Sequence, residues 1–242
     1  MSFVVLIFKS IAENNADTRE RNAVAARRAG RDPSSVTLMA VSKTFPVESI
    51  REAYAVDIRA FGENKVQEFT GKADSLRGLT DAQWHFIGHL QSNKAAKAVE
   101  LFDAVDSVDS VKLAERLNGA AEAAGKKMSV LIEINVGGEE AKSGLAPKSE
   151  ELDRILSNAA QWKNLSIQGL MTVPPYDDDR EQTRPFFRQL RVLRDEIAAR
   201  SLPAVSMGVL SMGMSHDFEV AIEEGSTCVR VGTAIFGERQ KL

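Results

Sequence analysis

Lys43 closes an apolar run, Leu38-Met39-Ala40-Val41-Ser42. A lysine held at the edge of an apolar core loses hydration, which lowers its pKa; the neutral amine can then attack an aldehyde and form an imine. The simpler alternative is a stem lying along apolar surface with its ammonium in water. Two further segments bear on the choice. Ser211-Met212-Gly213-Met214-Ser215 reads as the link from one strand to its helix, and Val231-Gly232-Thr233-Ala234 as another. Small residues and hydroxyls there expose backbone N–H groups at helix starts, which suits a phosphate dianion. Ser215 could instead only cap its helix and Gly232 only turn the chain, and capping is compatible with anion binding.

The segments that must position these residues alternate in character. A helix is predicted over residues 11–29, stopped by Gly30 ahead of Pro33. Apolar runs follow at 36–42, 58–61 (ended by Gly62), 83–87, 102–105, 129–136, 165–173, 204–210 and 227–231. Each precedes a helical pattern or turn, with Pro46, Asp109 or Ser110, Ser149 and Ser215 at the starts. Near-continuous apolar strands alternating with helices predict a parallel sheet buried on both faces. Eight such units predict closure into a (β/α)8 TIM-type barrel with an extra N-terminal helix, as a single domain over residues 1–242.

Active sites of this barrel form at the C-terminal strand ends, and the loops after strands seven and eight commonly hold phosphate. Lys43, Asn64, His89, Asn135, Met171, Ser211, Ser215, Arg230, Gly232 and Thr233 should therefore converge on one mouth.

Bulk properties narrow the function classes. The 242 residues carry a formal net charge of -3 and no basic block, so nucleic acid and membrane surfaces are not expected partners. The single cysteine, Cys228, permits no intrachain disulfide and fits a reducing cytoplasm. The apolar run at 3–8 is too short to span a bilayer, so a cytoplasmic protein is expected.

Several blocks together resemble one family. They are Ala40-Val41-Ser42-Lys43-Thr44, Phe61-Gly62-Glu63-Asn64, Trp84-His85-Phe86-Ile87-Gly88, Leu90-Gln91-Ser92-Asn93-Lys94, Lys142-Ser143-Gly144, Gly169-Leu170-Met171, Ser211-Met212-Gly213-Met214-Ser215 and Arg230-Val231-Gly232-Thr233-Ala234-Ile235-Phe236-Gly237. In register from about Arg27 to Arg239, they resemble the pyridoxal phosphate homeostasis proteins. The resemblance implies a fold like the N-terminal barrel of alanine racemase and pyridoxal 5′-phosphate (PLP) as cofactor. It implies that Lys43 carries the Schiff base, that Ser215, Gly232 and Thr233 bind the phosphate, and that Ser211 lies near it. Arg230 would face the pyridine nitrogen, and Asn64 and Met171 would line the cofactor. An always-charged guanidinium beside that nitrogen favours the unprotonated pyridine and weakens the ring as an electron sink. Such a site holds and exchanges cofactor better than it stabilises carbanions.

Other residues read more plainly. His85 and His89 have metal-like spacing, but on a strand running into Gly88 rather than on a helix, and no partner motif accompanies them, so no metal is expected. His216 reads as an exposed residue at a helix start, Trp84 and Trp162 as packing residues, and Cys228 as a small core residue. Lys142-Ser143-Gly144 is either a turn or a closure over the mouth, and Asp177–Asp179 a solvated loop. The expected function is a PLP carrier and buffer, without robust catalysis of its own, that delivers cofactor to apo-enzymes as a monomer. The alternative is a PLP-dependent amino-acid racemase, which needs proton transfer on both faces of the α-carbon. Lys43 could serve one face; for the other, Tyr176 on a mouth loop is the conceivable base.

Overall fold

The computed structural model describes residues 9–139 and 142–238; the apolar run at 3–8 lies outside them. Helix α1 (Ile11–Arg28) comes first, opened by Ser10, whose hydroxyl accepts the Glu13 amide while Glu13 reaches back to the Ser10 amide. Strand and helix then alternate: β1 (Thr37–Val41), α2 (Val47–Ala55), β2 (Ala60–Glu63), α3 (Val66–Leu76), β3 (Gln83–Phe86), α4 (Ala95–Leu101), β4 (Ala104–Val108), α5 (Val111–Ala123), β5 (Met128–Glu133), α6 (Glu150–Asn158), β6 (Leu165–Met171), α7 (Arg184–Ala199), β7 (Val205–Met214), α8 (Phe218–Glu223), β8 (Cys228–Val231) and α9 (Thr233–Phe236). Among the described residues eight parallel strands pair in sequence order, and β8 pairs with β1 to close the barrel.

The period-2 alternation of strands sorts the residues into two layers. Leu38 and Ala40 of β1, Phe61 of β2, Phe86 of β3, Ile132 of β5 and Val229 of β8 share one continuous apolar cluster with the helices, including Ile50, Phe69, Leu117 and Phe187. Their alternates face the barrel axis. A small separate cluster of Met39, Ala60 and Cys228, with Ile87 and Val209 against it, fills part of the interior. Polar residues occupy other inward positions.

Four sequence expectations change. Gly62 lies inside β2 rather than ending it. A Cβ there would come within 2.9 Å of Ile87 Cδ1 and 3.1 Å of Met39 Sδ, so glycine gives these inner side chains room. The fourth strand spans Ala104–Val108 instead of residues 102–105, because buried Asp106 and Ser107 continue it. The seventh strand runs to Met214, so Ser211 through Met214 belong to a strand and not to a connecting loop. Its pairing with β8 shifts between Ser211 and Met214, where Gly213 has φ 93°. Finally, Asp217 rather than Ser215 occupies the N-cap of α8, and its carboxylate accepts the Met214 amide at 2.7 Å.

Candidate functional site at the C-terminal rim

Parallel pairing puts every strand's C-terminal end on one rim. β1 and β8 are neighbours in register from Thr37↔Cys228 to Ala40↔Val231, so Lys43 and the Gly232-Thr233 turn leave adjacent strands on the same side. A Cβ on Gly232 would stand 3.7 Å from Val41 Cβ, a measure of how close the two strand ends lie. The Phe45 amide donates to Ser42 O at 3.1 Å, and this places half-buried Lys43 at the centre of a tight turn.

On the β7–β8 side, Ser215 Oγ accepts the Gly232 amide at 3.1 Å and the Ala234 amide at 3.4 Å. Ser215 therefore bridges two strand ends instead of capping its own helix. A serine hydroxyl that accepts also carries one proton to donate, and here it lies beside Gly232 and exposed Thr233. Just inside the rim, buried Arg230 donates through Nη1 to Ser211 Oγ at 2.7 Å and through Nη2 to Thr172 O at 2.6 Å. Met171, paired in register with Ser211, is fully buried.

Burial works against the Arg230 charge and lowers its pKa; Cys228, Asp106, Glu133 and Asp217 oppose that shift. Two of these acids, Asp106 and Glu133, are inner-facing groups that the sequence reading did not single out. Asp106 pairs with His85 Nδ1 at 3.1 Å, and although burial lowers the histidine's pKa, Asp106 raises it more. Glu133 is pushed up to about 7 by burial and by Asp109, with Arg230 and His89 pulling the other way. Its Oε2 is buried without a hydrogen-bond partner. The available signal was parity: each interrupts an apolar strand at an inward position, as Val105-Asp106 and Ile132-Glu133.

The remaining expected mouth residues spread around the rim. Asn64 is half-buried, and its Oδ1 is buried without a partner, which leaves hydrogen-bonding capacity for a ligand. His89 is exposed and pairs with Asp109 at 3.2 Å. Asn135 braces its own loop by donating to Glu139 O at 2.8 Å. Lys142 Nζ donates to Pro174 O at 3.3 Å and ties the loop after β5 to the loop after β6. His216 is exposed and its ring lies 5.4 Å from that of Tyr176.

The model of the family described as "Alanine racemase, N-terminal domain" matches residues 15–240. A pyridoxal phosphate homeostasis protein of Aquifex aeolicus is 46% identical over 221 residues, covering 91% of this chain and 95% of that protein. The Pseudomonas aeruginosa protein of the same name is 44% identical over 230 residues, covering 95% and 96%. This chain belongs to the pyridoxal phosphate homeostasis protein family. A solved structure of similar build is PipY of Synechococcus elongatus with PLP bound: 40% identity, TM-score 0.82, covering 94% of this chain and 100% of that one. Alanine racemase of Clostridium difficile superposes with a TM-score of 0.69 at 15% identity, over 93% of this chain and 60% of the racemase, a likeness of fold alone.

Proposed function

We propose that this chain binds PLP reversibly through a Schiff base on Lys43 and serves PLP homeostasis by buffering the cofactor and passing it to apo-enzymes. The observation carrying this reading is that the Lys43 turn and the Ser215–Gly232 bridge occupy one rim, on adjoining strands of the closed barrel. The two ends of a pyridoxal phosphate, its aldehyde and its phosphate, need an amine and an array of N–H and O–H donors in that relation. At the end of β2, on the other flank of the Lys43 turn, Asn64 Oδ1 is buried and unpartnered among the described residues, which leaves it capacity for a ligand.

In this reading Lys43 holds the carbonyl carbon. Ser215, Gly232 and Thr233 hold the phosphate, with Ser211 below them. Arg230 faces the ring nitrogen and Asn64 and Met171 flank the ring. When bound, the cofactor supplies an aldehyde that exchanges between amines. Arg230, fixed by Ser211 and Thr172, keeps a cation where proton donation to the ring would need an acid. Tyr176 is poorly suited to be a second base for racemisation: it is 72% exposed, and its hydrogen bond to Asp178 raises its pKa. A carrier is favoured over an enzyme on these grounds. No helix among the described residues is long and apolar enough to cross a membrane, and the proposed setting is the cytoplasm, with the protein as a monomer.

The test is chemical. Purified protein should be yellow, and borohydride should fix the cofactor on the Lys43 peptide. Lys43→Ala should lose the imine while keeping part of the affinity through the phosphate. Incubation with alanine or serine should give no racemisation that Tyr176→Phe abolishes. An adduct on another lysine, or robust turnover dependent on Tyr176, would overturn the reading.

A further inference from the structure

Both neighbours of Lys43 are tethered to a polar cluster on the outer side of the barrel wall. Thr44 has φ 68°, in the left-handed region that a β-branched residue rarely adopts. Its amide donates to Glu68 Oε1 on α3 at 2.7 Å. Lys72, one helical turn further on, donates to the same Glu68 oxygen at 2.8 Å and to Ser42 O and Glu63 Oε1 at 3.4 Å each. Ser42 Oγ donates to Glu63 Oε1 at 2.8 Å. Alternation explains the placement: Phe61 and Glu63 are separated by inward Gly62, and Ser42 follows inward Val41, so Glu63 and Ser42 face the helices, where the Ser42 hydroxyl meets Glu63 just before the chain turns at Lys43.

The cluster is built rather than incidental. Glu63 is fully buried and the Lys72 side chain only 13% exposed. Burial raises the Glu63 pKa against the pull of Lys72; at Glu68 burial acts the same way, but Lys72 and the Thr44 amide outweigh it and lower the pKa. A strained turn persists only where its surroundings over-determine it. Here Glu68 accepts the Thr44 amide, Glu63 accepts the Ser42 hydroxyl and Lys72 donates to Ser42 O, so the residues immediately before and after the lysine are both held.

The geometry points to Glu68 and Lys72 as positioning residues that hold the Lys43 turn in its left-handed form and so set how firmly Lys43 keeps a carbonyl ligand. This rests on Lys43 being the imine-forming amine. Neither residue touches the ligand; each acts through the turn.

The experiment uses the full chain loaded with PLP and follows the rate at which hydroxylamine strips the imine colour, alongside the borohydride-fixed fraction on Lys43 and the melting curve. Glu68→Leu and Lys72→Met should each speed stripping about tenfold, the scale of one lost charged hydrogen bond. Glu68→Gln, which keeps an acceptor for the Thr44 amide, should recover most of the native rate. In a Thr44→Gly background, where the left-handed conformation carries no strain, Glu68→Leu should change the rate less than about twofold. Native stripping rates in both Glu68→Leu and Lys72→Met would overturn the proposal, as would a Glu68→Leu effect of equal size with and without the Thr44→Gly change. Should Glu68→Leu fail to fold, the Lys72→Met comparison in the two backgrounds decides. If the native protein gives no adduct on Lys43, the underlying reading fails instead, and the two failures are distinct.

Discussion

Arg230 Nη1 lies 2.7 Å from Ser211 Oγ, joining β8 to β7 inside the barrel, while Nη2 reaches Thr172 O at the end of β6. One guanidinium thus fastens three consecutive strand ends beneath the proposed phosphate turn. Arg230→Met should remove both bonds, leave the Ser211 hydroxyl and the Thr172 carbonyl short of a donor, and take away a charge facing Asp106, Glu133 and Asp217. A loss of about 3 kcal/mol in urea unfolding is expected. Arg230→Lys, which keeps the charge without the fork, should lose less.

Glu133 gives a pH signature. Its folded-state value near 7 stands above the ordinary 4.5. A carboxyl raised in this way favours folding fully below its unfolded value, and the benefit is lost as pH rises through the folded one. The stability difference between Glu133→Gln and the native protein should therefore be small near pH 4 and grow in favour of the variant to about 3 kcal/mol by pH 8. Parallel melting curves of the two proteins across that range check it; a constant difference refutes it.

Ser215→Ala removes the oxygen shared by the Gly232 and Ala234 amides. Affinity for PLP should fall about tenfold, roughly one hydrogen bond to a charged group. Affinity for pyridoxal, which lacks the phosphate, should hardly change. Equilibrium titration of both ligands separates these outcomes.

Cys228 faces the barrel interior beside Met39 and Ala60, and burial pushes its thiol up to about 12. Alkylation by iodoacetamide should be negligible in the native protein and rapid in denaturant. Mass spectrometry with and without denaturant reads this directly.

Two glycines should respond oppositely to alanine. At Gly213 the new Cβ would lie 2.5 Å from Ala221 Cβ, on a backbone with φ 93°. Gly213→Ala should therefore destabilise by about 3 kcal/mol or more. Gly119 is exposed within α5 and meets nothing within 4 Å, so Gly119→Ala should stabilise by about 0.5–1 kcal/mol. Urea denaturation of the pair checks both signs.

The sequence by itself determined the order of the elements and the rim on which the candidate site residues gather. Alternating apolar strands and amphipathic helices leave few ways to bury both faces of a sheet, and parallel strands send residues such as Lys43, Arg230 and Gly232 to a single end. Local signals also placed the cap of α6 at Ser149 and narrowed that of α5 to Asp109 or Ser110, of which Ser110 takes it, because a cap is decided within four residues. Tertiary structure decided the rest. Ser215 bonds across to β8, since the bulge at Gly213 carries β7 past its apolar run and hands the cap of α8 to Asp217. Asp106 extends β4 because His85, 21 residues earlier, stands beside it on the inner face. Glu68 and Lys72 meet the Lys43 turn only because β1 and β2 are neighbours and bring it against α3. Such contacts depend on which strands are neighbours and which way each residue faces, and those relations exist only once the barrel has closed.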